Sequence, residues 1–153
     1  MIFIAHRGNV RGPDPARENE PTYIDIALQA GFFAEVDVRV ASTPDMFVLG
    51  HDIGEYDVDL SWFLERREKL FIHAKDLAAY TYFLSDSKNW NVFWHQKDAY
   101  TLTSSGYIWA YPGSELNSKC ICVMPETASY SNDQLAVCAG ICSDFVGTFC
   151  DKY

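Results

Sequence analysis

Three short apolar runs within the first 52 residues lead into, or contain, side chains that bind protons, phosphate or metal. The runs and their side chains are residues 2–5 with His6, residues 34–38 with Glu35 and Asp37, and residues 46–50 with His51. Short β-branched runs of this kind are typical of parallel strands. Because such strands carry functional groups at their carboxyl ends, the sequence predicts a site there.

Five further apolar runs follow along the chain, at residues 69–72, 91–94, 106–111, 120–124 and 139–144. Apolar spacing and capping residues predict short helices at residues 21–30, 60–67, 76–84 and 133–138. With 153 residues, the chain has the length of one domain, 1–153. Eight strands with helices between them predict a mixed α/β fold.

Glu35 and Asp37 are the first candidates for metal binding. Strand alternation places both carboxylates on one face of the second strand. Two adjacent like charges cost free energy unless a cation lies between them, and Mg2+ and Ca2+ prefer carboxylate oxygens. An ion pair with a nearby arginine or lysine is the alternative interpretation.

His6 and His51 end the first and third runs, on opposite flanks of the second strand. The pKa of an ordinary imidazole lies near neutrality, so one ring could take a proton from an attacking hydroxyl while the other gives one to a leaving alkoxide. A structural role for each histidine is the alternative interpretation.

Arg7 and Lys75 are the candidates for binding phosphate, one as a planar fork and the other as a point charge. The formal net charge of −9 repels anions at long range, so a phosphate could bind only where a metal or these cations reverse the local sign. The same charge argues against a nucleic-acid partner, which would need a basic surface.

Several of these residues also stand at the spacing of a known family. The matching elements are His6-Arg7-Gly8, Glu18-Asn19, Gly31, Glu35-x-Asp37-Val38 and His51-Asp52. With them the chain resembles the glycerophosphodiester phosphodiesterases, which belong to the phospholipase-C-like phosphodiesterases. The resemblance covers roughly the first third of the chain strongly and the rest in outline.

The resemblance implies a TIM-type (β/α)8 barrel. Barrels of this kind typically need about 250 residues, and residues 41–45 and 114–119 leave no room for a crossover helix between predicted strands. We therefore expect a reduced barrel with several helices shortened or missing. Its exposed strand faces would be covered by aromatic side chains or by a second subunit in a homo-oligomer.

The resemblance also implies an activity, the metal-dependent hydrolysis of a glycerophosphodiester-like substrate to an alcohol and glycerol phosphate. It assigns metal binding to Glu35 and Asp37, and the acid and base roles to His6 and His51. One alternative is a phospholipase-D-like member of the same superfamily. Another is a non-catalytic module that binds phosphate or a phosphodiester on a degenerate barrel.

The chain departs from the family at the fourth strand, where His73-Ala74-Lys75 replaces the family's Glu-x-Lys. His73 could bind a transition metal, so Mn2+ or Zn2+ joins Mg2+ and Ca2+ among the candidate ions. Glu126 or Asp144 could supply the missing acid from another strand. Glu18, which matches the family's Glu-Asn, could reach the metal or hydrogen-bond Arg7.

The amino terminus and the cysteines bear on location. Residues 2–5 are too short an apolar run for a signal peptide or a membrane span, so the expectation is a cytoplasmic protein. Five cysteines cannot all pair, and buried reduced thiols are expected in preference to zinc ligands or disulfides.

Overall fold

The computed structural model describes residues 1–85 and 89–153. Its strands are β1 (Ile2–His6), β2 (Phe33–Val40), β3 (Met46–Leu49), β4 (Tyr56–Asp59), β5 (Leu70–Ala74), β6 (Val92–Phe93), β7 (Tyr100–Leu102), β8 (Ile108–Ala110), β9 (Cys120–Val123) and β10 (Gly140–Ser143). Its α-helices are α1 (Pro21–Gln29), α2 (Leu60–Arg66), α3 (Leu77–Ser85), α4 (Asn132–Ala136) and α5 (Val146–Cys150). The mixed α/β class and the four predicted helices are confirmed.

Polar side chains at the amino ends explain where three of the helices begin. Asp59 accepts a hydrogen bond from Trp62 N at the start of α2, and Asp76 accepts one from Ala79 N at the start of α3. Ser131 forms a reciprocal capping box at the start of α4. Each cap satisfies a backbone N–H that would otherwise lack a partner in the first turn.

Seven strands run parallel to their neighbours in the order β6, β5, β2, β1, β10, β9, β8. Although β6 and β8 lie at opposite ends of this path, the rings of Phe93 and Trp109 meet with centroids 4.4 Å apart. The sheet is therefore curled into a half-barrel. Its interior is filled by apolar side chains from several strands, among them Ile4, Phe71 and Ile121.

The third predicted strand is placed differently from the expectation. β3 runs antiparallel to β2, with Arg39 opposite Val48, and forms a hairpin with β4. The expectation of a parallel strand was wrong, because parallel neighbours need a crossover of a dozen or more residues and only residues 41–45 separate β2 from β3. The extra strands β4 and β7 were not predicted.

The outer face of the sheet is covered on one side by an aromatic cluster. Phe47 lies between Phe63, Tyr82 and Phe83, with ring centroids 5.0–5.1 Å away. The cluster packs α2 and α3 against the sheet and includes the largest fully buried side chains of this region. It takes part of the covering role that longer helices have in larger α/β proteins.

All five cysteines are free thiols, as predicted, and four of them are buried, while Cys150 is exposed. Cys120 and Cys122 point to the same face of β9 and pack together with Cys138 and Leu135. Burial raises the pKa of the Cys122 thiol to about 12, which keeps it protonated and unreactive at neutral pH. In the part of the chain that the structure describes, no helix has the length and apolarity to span a membrane.

Candidate metal and acid–base site

A cavity of about 600 Å³ opens at the carboxyl ends of the parallel strands. Six predicted site residues line it, from strands β1, β2 and β5 and from the turns after β1, β3 and β5: His6, Arg7, Glu35, His51, His73 and Lys75. Asp37 lies fully buried beside them. The structure therefore brings these seven residues together, although His51 comes from the turn after the antiparallel strand β3 rather than from the end of a parallel strand.

Glu35, Asp37 and His73 form the most acidic part of the site. Residues 37 and 73 are direct partners in the register of β2 and β5. As a result, His73 Nδ1 lies 3.0 Å from Asp37 Oδ1 and 3.5 Å from Glu35 Oε1. One ligand atom from each residue falls within 4.8 Å of the others, so the group could bind a metal ion.

The protonation of His73 follows from its two contacts. Its Nε2 lies 3.1 Å from the carbonyl oxygen of His95, which can only accept a hydrogen bond, so Nε2 carries a proton. Nδ1 then faces two carboxylates. Burial lowers the pKa of His73, but close contacts with the Asp37 and Glu35 carboxylates and their negative charges outweigh it and raise the pKa to about 9. Without a metal, His73 is an imidazolium at neutral pH.

Asp37 is surrounded by donors and cations. Arg7 Nε lies 3.1 Å from its Oδ2, Lys75 Nζ lies 3.4 Å from its Oδ1, and the side chain of Asn19 bonds both its Oδ2 and its backbone N–H. Burial raises the pKa of Asp37, but the close contact with His73 and the neighbouring positive charges hold it well below its usual range. Asp37 is therefore ionised.

One oxygen of Asp37 has capacity left for a ligand. Among the described residues, Asp37 Oδ1 accepts no well-aligned hydrogen bond, although it is buried and lies near two cations. A buried carboxylate oxygen in this state is unusual, because buried polar atoms are nearly always paired. Its position suits a metal bond, and the donor set of two carboxylates and an imidazole is chemically suitable for a divalent ion.

His6 is held by a carboxylate from the last strand. Its Nδ1 lies 2.7 Å from Asp144 Oδ1, which also accepts a bond from Asn9 Nδ2 at 2.9 Å. Burial lowers the pKa of His6, but the bond to Asp144 and the charge of Glu35 outweigh it, so the net pKa is raised. The sequence offered Asp144 only as a metal ligand, whereas in the structure it contacts His6 and is not part of the potential metal group of the described residues.

The expected placement of His6 and His51 on opposite flanks of β2 was wrong, because the backbone carbonyls of Glu35 and Asp37 accept bonds from Arg7 N and Gly50 N, so β1 and β3 lie along the same edge of β2. His51 nevertheless has the same kind of partner as His6. Its Nδ1 lies 2.7 Å from Asp52 Oδ1, and its side chain is 41% exposed, against 11% for His6. It stands in the turn between β3 and β4 rather than at the end of a parallel strand. The two predicted acid–base residues thus share one cavity and one kind of partner, in different solvent environments.

Glu18 and Glu126, the remaining candidate metal ligands, hydrogen-bond to other residues. Glu18 accepts bonds from Arg7 Nη1 and Asn9 Nδ2, both at 3.0 Å, which is the second of the two roles expected for it. Glu126 accepts bonds from Ser143 Oγ at 2.9 Å and from Asp144 N at 3.1 Å. Neither belongs to the potential metal group that the described residues form.

Sequence reasoning gave little weight to two features of the cavity. His95 is buried, and its ring stacks on Tyr111 with centroids 4.0 Å apart. Arg39 bonds the backbone of the turn that carries His51. Arg39 lies on the same strand face as Glu35 and Asp37, and this alternation was the feature of the sequence that could have pointed to it.

Comparison of the chain with protein-family models, with curated proteins and with solved structures finds no match in any of the three. Geometry and chemistry alone therefore bear on its function.

Proposed function

We propose that this protein is a phosphodiesterase that hydrolyses a glycerophosphodiester-like substrate to an alcohol and glycerol phosphate with a divalent metal ion. The observation that carries the proposal is a pair of imidazoles in one cavity, His6 and His51, each with Nδ1 on a carboxylate. Between them in chain order stands the acidic pair of β2. Two proton-transfer groups beside a potential metal site are what diester hydrolysis requires.

Glu35, Asp37 and His73 are the residues that would hold the ion. Carboxylates favour Mg2+ or Ca2+, while the imidazole extends the choice to Mn2+ or Zn2+. A bound ion would polarise the phosphoryl oxygens and offset the charge that develops on them. The ion would replace the proton on His73 Nδ1, since that nitrogen faces both carboxylates.

The two histidines would move the protons. In each, a carboxylate contacts Nδ1, which would leave Nε2 as the nitrogen that meets the substrate. One ring would accept the proton of the attacking group, which is water or a neighbouring hydroxyl of the substrate. The other would donate a proton to the leaving alkoxide.

Arg7 and Lys75 would hold the phosphate. Both line the cavity, and contacts with Glu18 and Asp37 fix them. Arg7 has φ 53°, in the left-handed region, and its backbone N–H reaches Glu35 Oε2 at 3.3 Å. This backbone turn brings the guanidinium to the acidic group. Positive charge is therefore concentrated at the place where an anionic phosphate would bind to this net-negative chain.

We also interpret the curled sheet as a reduced (β/α)8 barrel. Seven parallel strands supply most of its wall, and the hairpin of β7 and β8 approaches β6, where Ser104 N bonds the carbonyl oxygen of Val92 at 2.9 Å. The β3–β4 hairpin is inserted in the chain between β2 and β5, which pair directly as neighbours in the wall. In this interpretation, the site occupies the usual carboxyl-end face of a barrel.

The test is release of alcohol from glycerophosphocholine and from a chromogenic phosphodiester, with Mg2+, Ca2+, Mn2+ or Zn2+ and with excess chelator. The proposal expects turnover with at least one metal and none with chelator. For substitutions of the site carboxylates Glu35 and Asp37, the matched control is Asp25→Asn, because Asp25 is a carboxylate that pairs with Arg66 outside the cavity. Saturable binding of glycerol phosphate without turnover under any metal would favour the binding module.

A further inference from the structure

Arg39 bonds backbone carbonyl oxygens, whereas Arg7, Arg17 and Arg66 pair with carboxylates. Its Nη1 donates to the carbonyl oxygen of Gly50 at 2.5 Å, and its Nη2 donates to those of His51 at 2.8 Å and Asp52 at 3.2 Å. No ion pair joins it to a carboxylate within the described ranges 1–85 and 89–153, although the chain has 21 acidic residues. Its charge is directed at three consecutive carbonyl oxygens.

The turn that Arg39 binds is tightly folded. Gly50 has φ +148°, and a Cβ there would lie 2.1 Å from the carbonyl oxygen of Ile53. The bond of Glu55 N to the carbonyl oxygen of Leu49, at 2.8 Å, closes the turn. Three carbonyl dipoles that converge on one point repel one another unless a cation lies between them. Arg39 supplies that cation.

The same turn carries both members of a candidate proton-transfer pair. His51 and Asp52 contribute backbone carbonyls to Arg39 and side chains to each other. His51 is far more exposed than His6, so packing holds it less firmly. A forked guanidinium, fixed on β2 two residues beyond Asp37, can bond several carbonyls at once in a way that an ammonium cannot.

We infer that Arg39 is a positioning residue that fixes the His51–Asp52 turn over the cavity, and that it acts on the reaction through His51 rather than by contact with the substrate. That Arg39 fixes the turn can be tested without an activity assay. That the reaction depends on Arg39 rests on the proposed function.

The first experiment needs no activity. Amide hydrogen exchange is compared in wild type, Arg39→Met, Arg39→Lys and the control Arg66→Met, whose arginine lies on α2 outside the cavity. Loss of the carbonyl bonds should speed exchange about tenfold in Arg39→Met, and less in Arg39→Lys, at Gly50 and Glu55, whose N–H groups bond the carbonyl oxygens of Asp37 and Leu49. Unchanged exchange there in Arg39→Met would overturn the inference.

The second experiment is a double-mutant cycle with His51→Ala. A misplaced catalytic group costs up to about 100-fold, so Arg39→Met should lower kcat by roughly 10- to 100-fold with KM within about twofold. In the His51→Ala background, the same change should cost less than about twofold, because the group it positions is gone. A full further loss in that background, or a raised KM, would mean direct action on the substrate and would overturn the inference. Absence of turnover in wild type would count against the proposed function alone, since the exchange result stands independently.

Discussion

His73 Nδ1 lies 3.0 Å from Oδ1 of the fully buried Asp37, across the register of two central parallel strands. A protonated imidazole thus neutralises a carboxylate that would be costly to bury alone. The same geometry would let the histidine bind a metal ion once the proton leaves. Stability and the proposed metal binding would then depend on one nitrogen atom.

The first prediction concerns stability against pH. The pKa of His73 is raised to about 9 in the folded protein, against about 6.5 when unfolded. A raised histidine pKa contributes stability fully below the unfolded pKa, and that contribution is lost as pH rises through the folded pKa. In excess chelator, we expect the free energy of unfolding to fall by up to about 3 kcal/mol between pH 6.5 and pH 9 because of this group.

The control for this prediction is His73→Gln, which keeps a polar side chain but cannot titrate. Urea unfolding at a series of pH values is measured for both proteins, and the difference between them isolates His73 from tyrosines and cysteines that ionise at high pH. Parallel curves for the two proteins would show that His73 carries no extra proton in the fold.

The second prediction concerns His6 and Asp144. His6→Ala should lower kcat by about 10²- to 10⁴-fold, the usual value of one general acid or base, with the circular dichroism spectrum unchanged.

Asp144→Asn should lower kcat by less than His6→Ala does. It should also move the limb of the pH–kcat profile that belongs to His6 to lower pH, because Asp144 helps to raise the pKa of His6. Movement of the acid limb would identify His6 as the base, and movement of the alkaline limb as the acid. Activity of His6→Ala within about threefold of wild type would remove it from the mechanism.

Local sequence pattern was sufficient for the elements that depend on local chemistry. Three of the four predicted helices begin at capping residues, such as Asp59 and Asp76, and the shared face of Glu35 and Asp37 follows from strand alternation. These features need only a few neighbouring residues, so the chain specifies them without tertiary information.

The features that the sequence did not predict depend on distant or nonlocal contacts. The direction of β3 is decided by the length of the loop before it and by its pairing with β4. Asp144 reaches His6 across 138 positions of the chain, and no local pattern distinguishes a carboxylate that orients a histidine from one that binds a metal. The partners of Arg39 are backbone carbonyls, which every residue has and no motif records.

The third prediction concerns the glycine before His51. Gly50→Ala places a Cβ against the carbonyl oxygen of Ile53 at a backbone angle that other residues rarely adopt, so we expect a loss of about 1–3 kcal/mol in stability and reduced kcat. Gly31→Ala is the matched control, with φ +97° but nothing within 4 Å of the new Cβ. Its stability should fall by less, and its kcat should stay at the wild-type value. Equal losses of stability in the two variants would show that the turn at Gly50 can relax.

The last prediction concerns the metal, where His73 replaces the acid that the resembled family has on its fourth strand. Glu35→Gln and Asp37→Asn should each abolish metal-dependent activity, because each removes a charged ligand from a group of three. His73→Glu should retain activity and should strengthen the response to Mg2+ or Ca2+ relative to Mn2+, since an all-carboxylate site suits hard ions.

Metal titrations of wild type and these three variants, at fixed substrate and pH, measure the ranking of the ions. Near neutral pH, an ion must displace the proton from His73 Nδ1, so the apparent affinity of wild type for metal should rise as pH approaches about 9. In His73→Glu that rise should disappear, because a glutamate is already deprotonated. An unchanged ion ranking in His73→Glu would exclude His73 as a ligand, and full wild-type activity in excess chelator would mean that Glu35 and Asp37 hold no catalytic metal.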